Sequence, residues 1–310
     1  MNSTNIPEAL PHAEEKNVTE KSTLYLVGTP IGNLSDISER AKKVLSEVDF
    51  VAAEDTRESG RLLSCYGIRK PLVNYFEHNK KEKGEYIAHR LQNGESCALI
   101  TDAGMPAISD PGEDIVRLCA ERGIRVSVIP GPCAAVCALA LSGLSTAKFL
   151  FEGFLPVGKS ERREALTELK GVKRTIIFYE APHKLVRTLD DLFKAFGDRR
   201  LSLCRELTKL NEEVIRTTIG GAREYYAEHS PRGEYVLIME GASDAELKAA
   251  AFWADMSVEE HVEYYIETGL SKNDSIKAVA RDRGVAKSEI YNQVMIKQKA
   301  SPLGKLSRRD

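Results

Sequence analysis

Two successive α/β domains followed by a helical C-terminal module are the architecture this sequence predicts, the first domain on a parallel-type sheet and the second on a mixed sheet. Three observations carry that prediction. Between residues 23 and 134 short apolar runs alternate with longer amphipathic stretches, the rhythm of βα units. Three of those runs break at once into loops rich in Gly and Pro. Beyond Gly241 the strand-like runs stop and helix patterns alone remain. The segments so drawn are a disordered tail at 1–22, a first α/β domain at 23–134, a second at 135–243 that completes a cleft, and a helix-turn-helix-like module with a basic end at 244–310.

Composition bounds the function classes. The 310 residues are 42% hydrophobic and 29% charged, an ordinary balance for a soluble chain. The longest apolar stretch, near residues 134–144, is too short and too rich in small residues to span a bilayer. Residues 1–22 are polar and acidic, without the apolar core of a secretory signal. The six cysteines are scattered with no C-x-x-C pair, which fits a reduced, cytoplasmic setting. A net charge of -2 excludes a protein that coats nucleic acid over its whole surface, so any such contact must be local.

The first strand is predicted at residues 24–27 and opens into Gly28-Thr29-Pro30-Ile31-Gly32-Asn33-Leu34. Ser35 and Asp36 offer capping oxygens for a helix through about Glu47, with Ile37, Ala41, Val44 and Leu45 on one face. A second strand at 49–53 ends in Glu54-Asp55-Thr56-Arg57. These charges are either a helix N-terminus dressed for its dipole or an edge that faces substrate. A third strand at 72–76 and a charged surface helix at 80–92 follow. The run at 97–100 then breaks into a Gly/Pro loop through Gly112, with helix signals resuming at Pro111 and Glu113. The strand at 126–129 ends in Pro130-Gly131-Pro132, and 133–140 reads as a helix of small apolar residues that lets backbones pack closely. Three such loops after three strands point to one site, because open α/β sheets bind ligands at the carboxyl ends of their strands.

In the second half, residues 149–156 form a strand and turn. The basic loop from Lys159 to Lys173, with Arg162 and Arg163, is either a solvated connection or a grip for an anionic polymer. A strand at 175–179 ends in Glu180-Ala181-Pro182-His183, and a helix runs to about Phe196. Strands at 201–204, 214–219 and 234–239 lack a long helix between the first two, which predicts antiparallel pairing. The stretch Arg205-Glu206-Leu207-Thr208-Lys209 lies between those two. Past Gly241, Ser257 and Glu260 spell a capping box, and residues 270–291 show helix, Gly turn and helix. From Leu270 to the end there are ten Lys/Arg against four Asp/Glu, the positive patch that the chain as a whole lacks.

Missing motifs narrow the chemistry. No G-x-G-x-x-G follows a strand, and Pro30 removes a donor that a pyrophosphate would want, so NAD, FAD and P-loop nucleotides fit poorly. No nucleophile elbow and no spaced His/Cys set for a metal is present. A cofactor with an adenosine but no phosphates suits the Gly/Pro loops, and S-adenosyl-L-methionine is of that kind.

Taken in order, 27–34, 54–57, 101–112, 129–134, Phe178-Tyr179-Glu180-Ala181-Pro182-His183 and 205–209 resemble the motifs of the tetrapyrrole methylase superfamily. Within it they are most similar to the bacterial 16S ribosomal RNA cytidine 2′-O-methyltransferases, over roughly residues 23–241. The resemblance implies a class III methyltransferase with S-adenosyl-L-methionine in the cleft between two α/β domains, commonly as a homodimer, with the small ribosomal subunit as substrate. By motif, Pro30 and Ile31, then Asp102, Ala103, Gly104, Met105 and Ala107, then Pro132, Cys133 and Ala134, would line the cofactor from one side. Tyr179, Glu180 and Leu207 would approach from the other. Asp102 is the expected polar anchor, and Cys133 stands where many relatives carry Ser. No metal is implied. A ribose hydroxyl is a weak nucleophile that a general base helps by about 100-fold to 10,000-fold, and Glu54, Asp55, Glu180 and Lys209 are the candidates. Methylation of a tetrapyrrole carbon, or nucleic-acid regulation without catalysis, are the competing readings, and neither accounts for both the cleft loops and the basic end.

Overall fold

The computed structural model describes residues 18–249 and 251–300, with side chains through Val294. In chain order the first half runs β1 (Thr23–Val27), a 3-10 turn (Leu34–Asp36), α1 (Glu39–Glu47), β2 (Phe50–Ala53), α2 (Thr56–Cys65), β3 (Leu72–Asn74), α3 (Lys80–Gln92), β4 (Cys97–Ile100), α4 (Gly112–Glu121) and β5 (Arg125–Ile129). All the strand pairs are parallel, in the order β3-β2-β4-β1-β5. Alternation along the strands builds two cores. Val27, Val51, Ala53 and Ile100 face α1 and α2, while Leu24, Phe50, Ala52 and Leu99 face α3 and α4. Connections leave β1 toward β2 on one side and β4 toward β5 on the other, so the strand order reverses between β1 and β4. A crevice at their carboxyl ends is the physical consequence.

The second half adds α5 (Ala134–Ser142), β6 (Phe149–Phe154), α6 (Lys159–Leu169), β7 (Thr175–Glu180), α7 (Pro182–Phe196), β8 (Arg200–Arg205), β9 (Glu213–Thr218), α8 (Ile219–Glu228) and β10 (Tyr235–Met239). Its sheet runs β6-β7-β10-β8-β9, with β6 parallel to β7 and the other pairs antiparallel. The mixed sheet expected from the sequence is thus present. Helix α5 seats Ala135, Ala138 and Leu139 against Ile177, Cys204 and Ile238. Both sheets belong to one compact unit, residues up to Lys170 and from Arg174 to Glu240.

Gly171–Lys173 and the chain from Gly241 form a second unit. It contains α9 (Asp244–Ala249), α10 (Val258–Glu267), α11 (Lys272–Arg283) and α12 (Lys287–Ala300). Ser257 and Glu260 close the capping box at α10, and Gly284 turns α11 into α12 with φ 68°. Val262, Ile276, Val279, Ile290 and Val294 make its core. No helix among the described residues is long and apolar enough to cross a membrane.

Several local expectations need correction. Ser35 and Asp36 do not start α1. Asn33 accepts from Ser35 N at 3.0 Å and closes a 3-10 turn, Ile37 is extended, and Ser38 caps the helix through Ala41 N at 3.1 Å. The basic segment from Lys159 is a helix through Leu169, not a loop. Of the expected disordered tail, residues 1–17 lie outside the described residues. Glu20 N, however, donates to Tyr25 Oη at 2.7 Å, and Lys21 pairs with Asp49 at 2.8 Å. The basic end is also less open than its composition suggests. Lys277 pairs with Asp274 at 2.9 Å, and Arg283 turns inward to donate to the Met256 carbonyl at 2.6 Å. Lys297, Lys299, Lys305, Arg308 and Arg309 lie outside the described side chains.

Candidate active site

The three Gly/Pro loops meet at the carboxyl edge of the parallel sheet. Thr29 N donates to Gly104 O at 2.9 Å and Gly104 N to Thr29 O at 3.2 Å, which joins the loop after β1 to the loop after β4. The third loop packs backbone to backbone, since a Cβ on Gly28 would stand 2.6 Å from Gly131 Cα and 2.7 Å from Met105 Sδ. Only glycine allows that approach. The Asp110 carboxylate gathers Ala107 N at 3.0 Å, Ile108 N at 3.2 Å and Gly112 N at 2.7 Å, folding the stretch before α4 into a tight turn. Ala107 (φ 67°) and Ser109 (φ 64°) are thereby held in the left-handed region that costs an L-residue about 1–2 kcal/mol.

The opposite wall comes from the mixed sheet. Glu206 (φ 51°) and Thr208 (φ 66°) are again left-handed without being glycine. Lys209 Nζ bonds Glu206 Oε1 at 3.0 Å and Glu234 Oε2 at 2.9 Å. Burial lowers the pKa of this ammonium, but the two carboxylates outweigh that and hold it above its ordinary value, so Lys209 stays a cation. Its stem lies across the first loop, where a Cβ on Gly32 would run into Lys209 Cγ. The Tyr179 hydroxyl accepts from Ala135 N at 3.2 Å, and its ring packs edge-on to Phe151 and Phe154. Burial pushes that phenol up to about 12, so it remains protonated.

Between the walls is a cleft of about 580 Å³, within the usual range for small-molecule sites. Ile31, Asp102, Ala103, Gly104, Met105, Cys133, Ala134, Tyr179 and Leu207 line it, together with Glu54, Glu180 and Lys209. Pro30 is buried, and Ala107 and Pro132 are not in the wall, because the loops present their neighbours instead. Asp55 is the N-cap of α2, accepting from Arg57 N at 2.8 Å and Glu58 N at 3.4 Å. Its backbone N–H reaches Asp102 Oδ1 at 3.4 Å, so it orients the cleft without lining it.

The candidate acids and bases differ sharply in freedom. Glu180 is 4% exposed; Oε1 accepts from Ala181 N at 2.8 Å and Oε2 from the Thr188 hydroxyl. Among the described residues Glu54 makes no such bonds. Burial, then the charges of Asp102 and Asp110, raise its carboxyl above the ordinary value, and Asp102 is raised by burial and by Asp55 and Glu58 despite the hydrogen bond from Asp55. The parallel-sheet side of the cleft is therefore a carboxylate surface beside apolar side chains. Sequence reasoning missed Asp110, whose position before Pro-Gly is a turn signal, and also Phe154, Cys204, Glu234, Tyr235 and Val236. Phe154 comes from β6 beside Tyr179 of β7, and the other four meet at the cleft because β10 inserts between β7 and β8.

Residues 23–222 match the family model of the tetrapyrrole (corrin/porphyrin) methylases. The chain belongs to this family. As a tetrapyrrole methylase, it is expected to act with a methyl donor of the S-adenosylmethionine type. Among curated proteins it is 49% identical over 273 residues to a ribosomal RNA small subunit methyltransferase I of Halalkalibacterium halodurans, covering 88% of this chain and 94% of that one. It is 44% identical to the protein of the same name from Bacillus subtilis, covering 90% and 96%. Solved structures share the fold at lower identity. A cobalt precorrin-4 methyltransferase aligns at TM-score 0.53 and 18% identity over 71% of this chain and 95% of its own. Diphthine synthase aligns at 0.55 and 14% over 76% and 98%. Among the described residues no group of three or more His, Cys, Asp or Glu could hold a metal.

Proposed function

We propose that this tetrapyrrole methylase transfers the methyl group of S-adenosyl-L-methionine to the ribose 2′-hydroxyl of a cytidine in 16S ribosomal RNA. The observation that carries the substrate class is the likeness to ribosomal RNA small subunit methyltransferases I at 44–49% identity along about nine-tenths of the chain.

The cleft fits the donor. Glu54, Asp102 and Asp110 oppose a phosphate-bearing cofactor and favour one that carries ammonium and sulfonium charges. Ile31, Met105, Cys133, Ala134 and Leu207 give the apolar contact an adenosine needs, and the Asp102 carboxylate supplies a polar anchor. When bound, such a donor supplies a methyl already activated on positive sulfur, so the chain's task is to position the ribose oxygen, exclude water and accept a proton.

Glu54 is the residue suited to the proton. Glu180 has both oxygens engaged, Asp55 is committed to its helix, and Lys209 is held as a cation. The raised carboxyl of Glu54 is a better base than an ordinary glutamate. Helix α5 is apolar on every face yet leaves Val136 53% and Leu141 39% exposed, and we assign that surface to a second copy of the chain. The helical unit beyond Gly241 is assigned to contact with the RNA in the cytoplasm, since every residue lining the cleft lies between 31 and 236.

The test is methyl transfer from labelled donor to isolated small subunits, naked small-subunit RNA and uroporphyrinogen, followed by nucleoside digestion. Label in 2′-O-methylcytidine is the expected result. Label confined to a base rejects the ribose, and label in the tetrapyrrole alone rejects the RNA. Light scattering of the native protein should give twice the chain mass.

A further inference from the structure

A second concavity, of about 670 Å³, runs along α6 and α7 on the same unit as the cleft. Its walls carry Lys159, Arg163 and Lys170 from α6 with the residue that follows it, and Arg187 and Lys194 from α7. The charges are sorted by helical face. On α6 the cations stand at i, i+4 and i+11, while Glu161, Glu164 and Glu168 fall on the turns between and do not line the groove. Asp191 is the one carboxylate in the lining. It is already engaged by Arg162 at 2.7 Å and approached by Arg187 at 3.8 Å.

Arg162 is different from its neighbours. It is 6% exposed and also donates to Thr188 Oγ1 at 2.7 Å, so it builds the floor. Lys159, Arg163, Lys170 and Lys194 are exposed, and no carboxylate pairs with them among the described residues. Four unpaired cations around a floor whose acid is already spent make a site for a polyanion, because nothing in the fold returns the cost of their mutual repulsion. Hydrogen bonds and a shared helix tie the groove's floor to the cleft wall. Thr188, which receives Arg162, donates to Glu180, and α7 begins at Pro182 in the cleft wall, about 18 Å of helix from Lys194.

We infer that the α6–α7 groove binds the sugar-phosphate backbone of the RNA substrate at a distance from the methylated nucleotide. The inference rests on the RNA reading proposed above. Such contacts add affinity and register but little sequence information.

The experiment compares three full-length proteins in filter binding to a small-subunit RNA transcript over a range of salt. They are the parent, the quadruple variant Lys159→Gln, Arg163→Gln, Lys170→Gln, Lys194→Gln, and a control with Glu161→Gln, Glu164→Gln and Glu168→Gln on the other face. At about 0.7 per single-strand phosphate contact, the slope of log affinity against log salt should become shallower by about 2.8 in the quadruple variant. The control should keep the parent slope, and S-adenosyl-L-methionine affinity and melting temperature should be unchanged in both. A quadruple variant with the parent's slope overturns the groove while leaving the RNA reading intact. A parent that holds no RNA overturns both. Vesicles of anionic lipid serve as a further arm, and loss of vesicle binding with RNA binding unchanged also overturns the assignment.

Discussion

Ala107, Ser109, Glu206 and Thr208 share a left-handed backbone, and all four lie in the two loops that shape the cleft walls. Strain of this kind persists where surrounding bonds over-determine it, here the three amides on Asp110 and the Glu206–Lys209–Glu234 contacts. Ala107→Gly should relieve it, raising unfolding free energy by about 1 kcal/mol in urea titrations while weakening donor affinity in calorimetry as the turn loosens. Glu54 is the other residue with a specific expectation. Glu54→Gln should lower turnover by about 100-fold to 10,000-fold with little change in donor affinity. Because its carboxyl is raised, the base form is lost as pH falls through that raised value. The acid limb of the parent's rate profile should therefore lie above the ordinary glutamate range, and the variant should lack it.

Among the elements, what was legible depended on whether the signal was local. The limits of α3 and β4, the end of α7, and the capping box of α10 follow from periodicity and caps, and the structure has them where the pattern puts them. The Gly/Pro loops were legible because backbone contact at Gly28 and Gly131 demands those residue types. By contrast, α6 was hidden because alternating Glu and Arg lower its apolar contrast, and its one buried cation, Arg162, finds its partner 29 residues on in α7. The membership of Tyr235 and Val236 in the cleft depends on strand order, which no local pattern encodes. In the C-terminal unit, His261 packs between Trp253 and Tyr265, and Arg283 Nε approaches its Nδ1 at 3.3 Å. Burial, then the Arg283 charge, hold the imidazole below its usual pKa although Asp282 opposes this. The unfolded chain takes up a proton at about 6.5 that the folded unit resists. Stability of this unit should thus be full above that value and decline as pH falls below it, a slope that His261→Gln removes in melts between pH 8 and pH 5.

At the scale of the whole molecule, the cleft draws on residues 31–236 alone, so a chain ending after Gly241 should bind S-adenosyl-L-methionine as the full chain does, measured by calorimetry. A truncated protein that melts cooperatively yet has lost the donor would refute that. The order of the parallel sheet has a consequence for how the chain comes into being. β1 is the first strand among the described residues, yet its neighbours are β4 and β5, so the segment Thr23–Val27 waits for roughly 70 further residues before Cys97 offers it a partner. At about 5–20 residues per second of synthesis, that wait is on the order of 4–14 s. During it a Thr-Leu-Tyr-Leu-Val segment stands on the nascent chain with both edges open, the condition under which strands associate wrongly or are captured by chaperones. The strand that later lies between β4 and β5 in the parallel sheet is therefore the one on which newly made chains are most vulnerable.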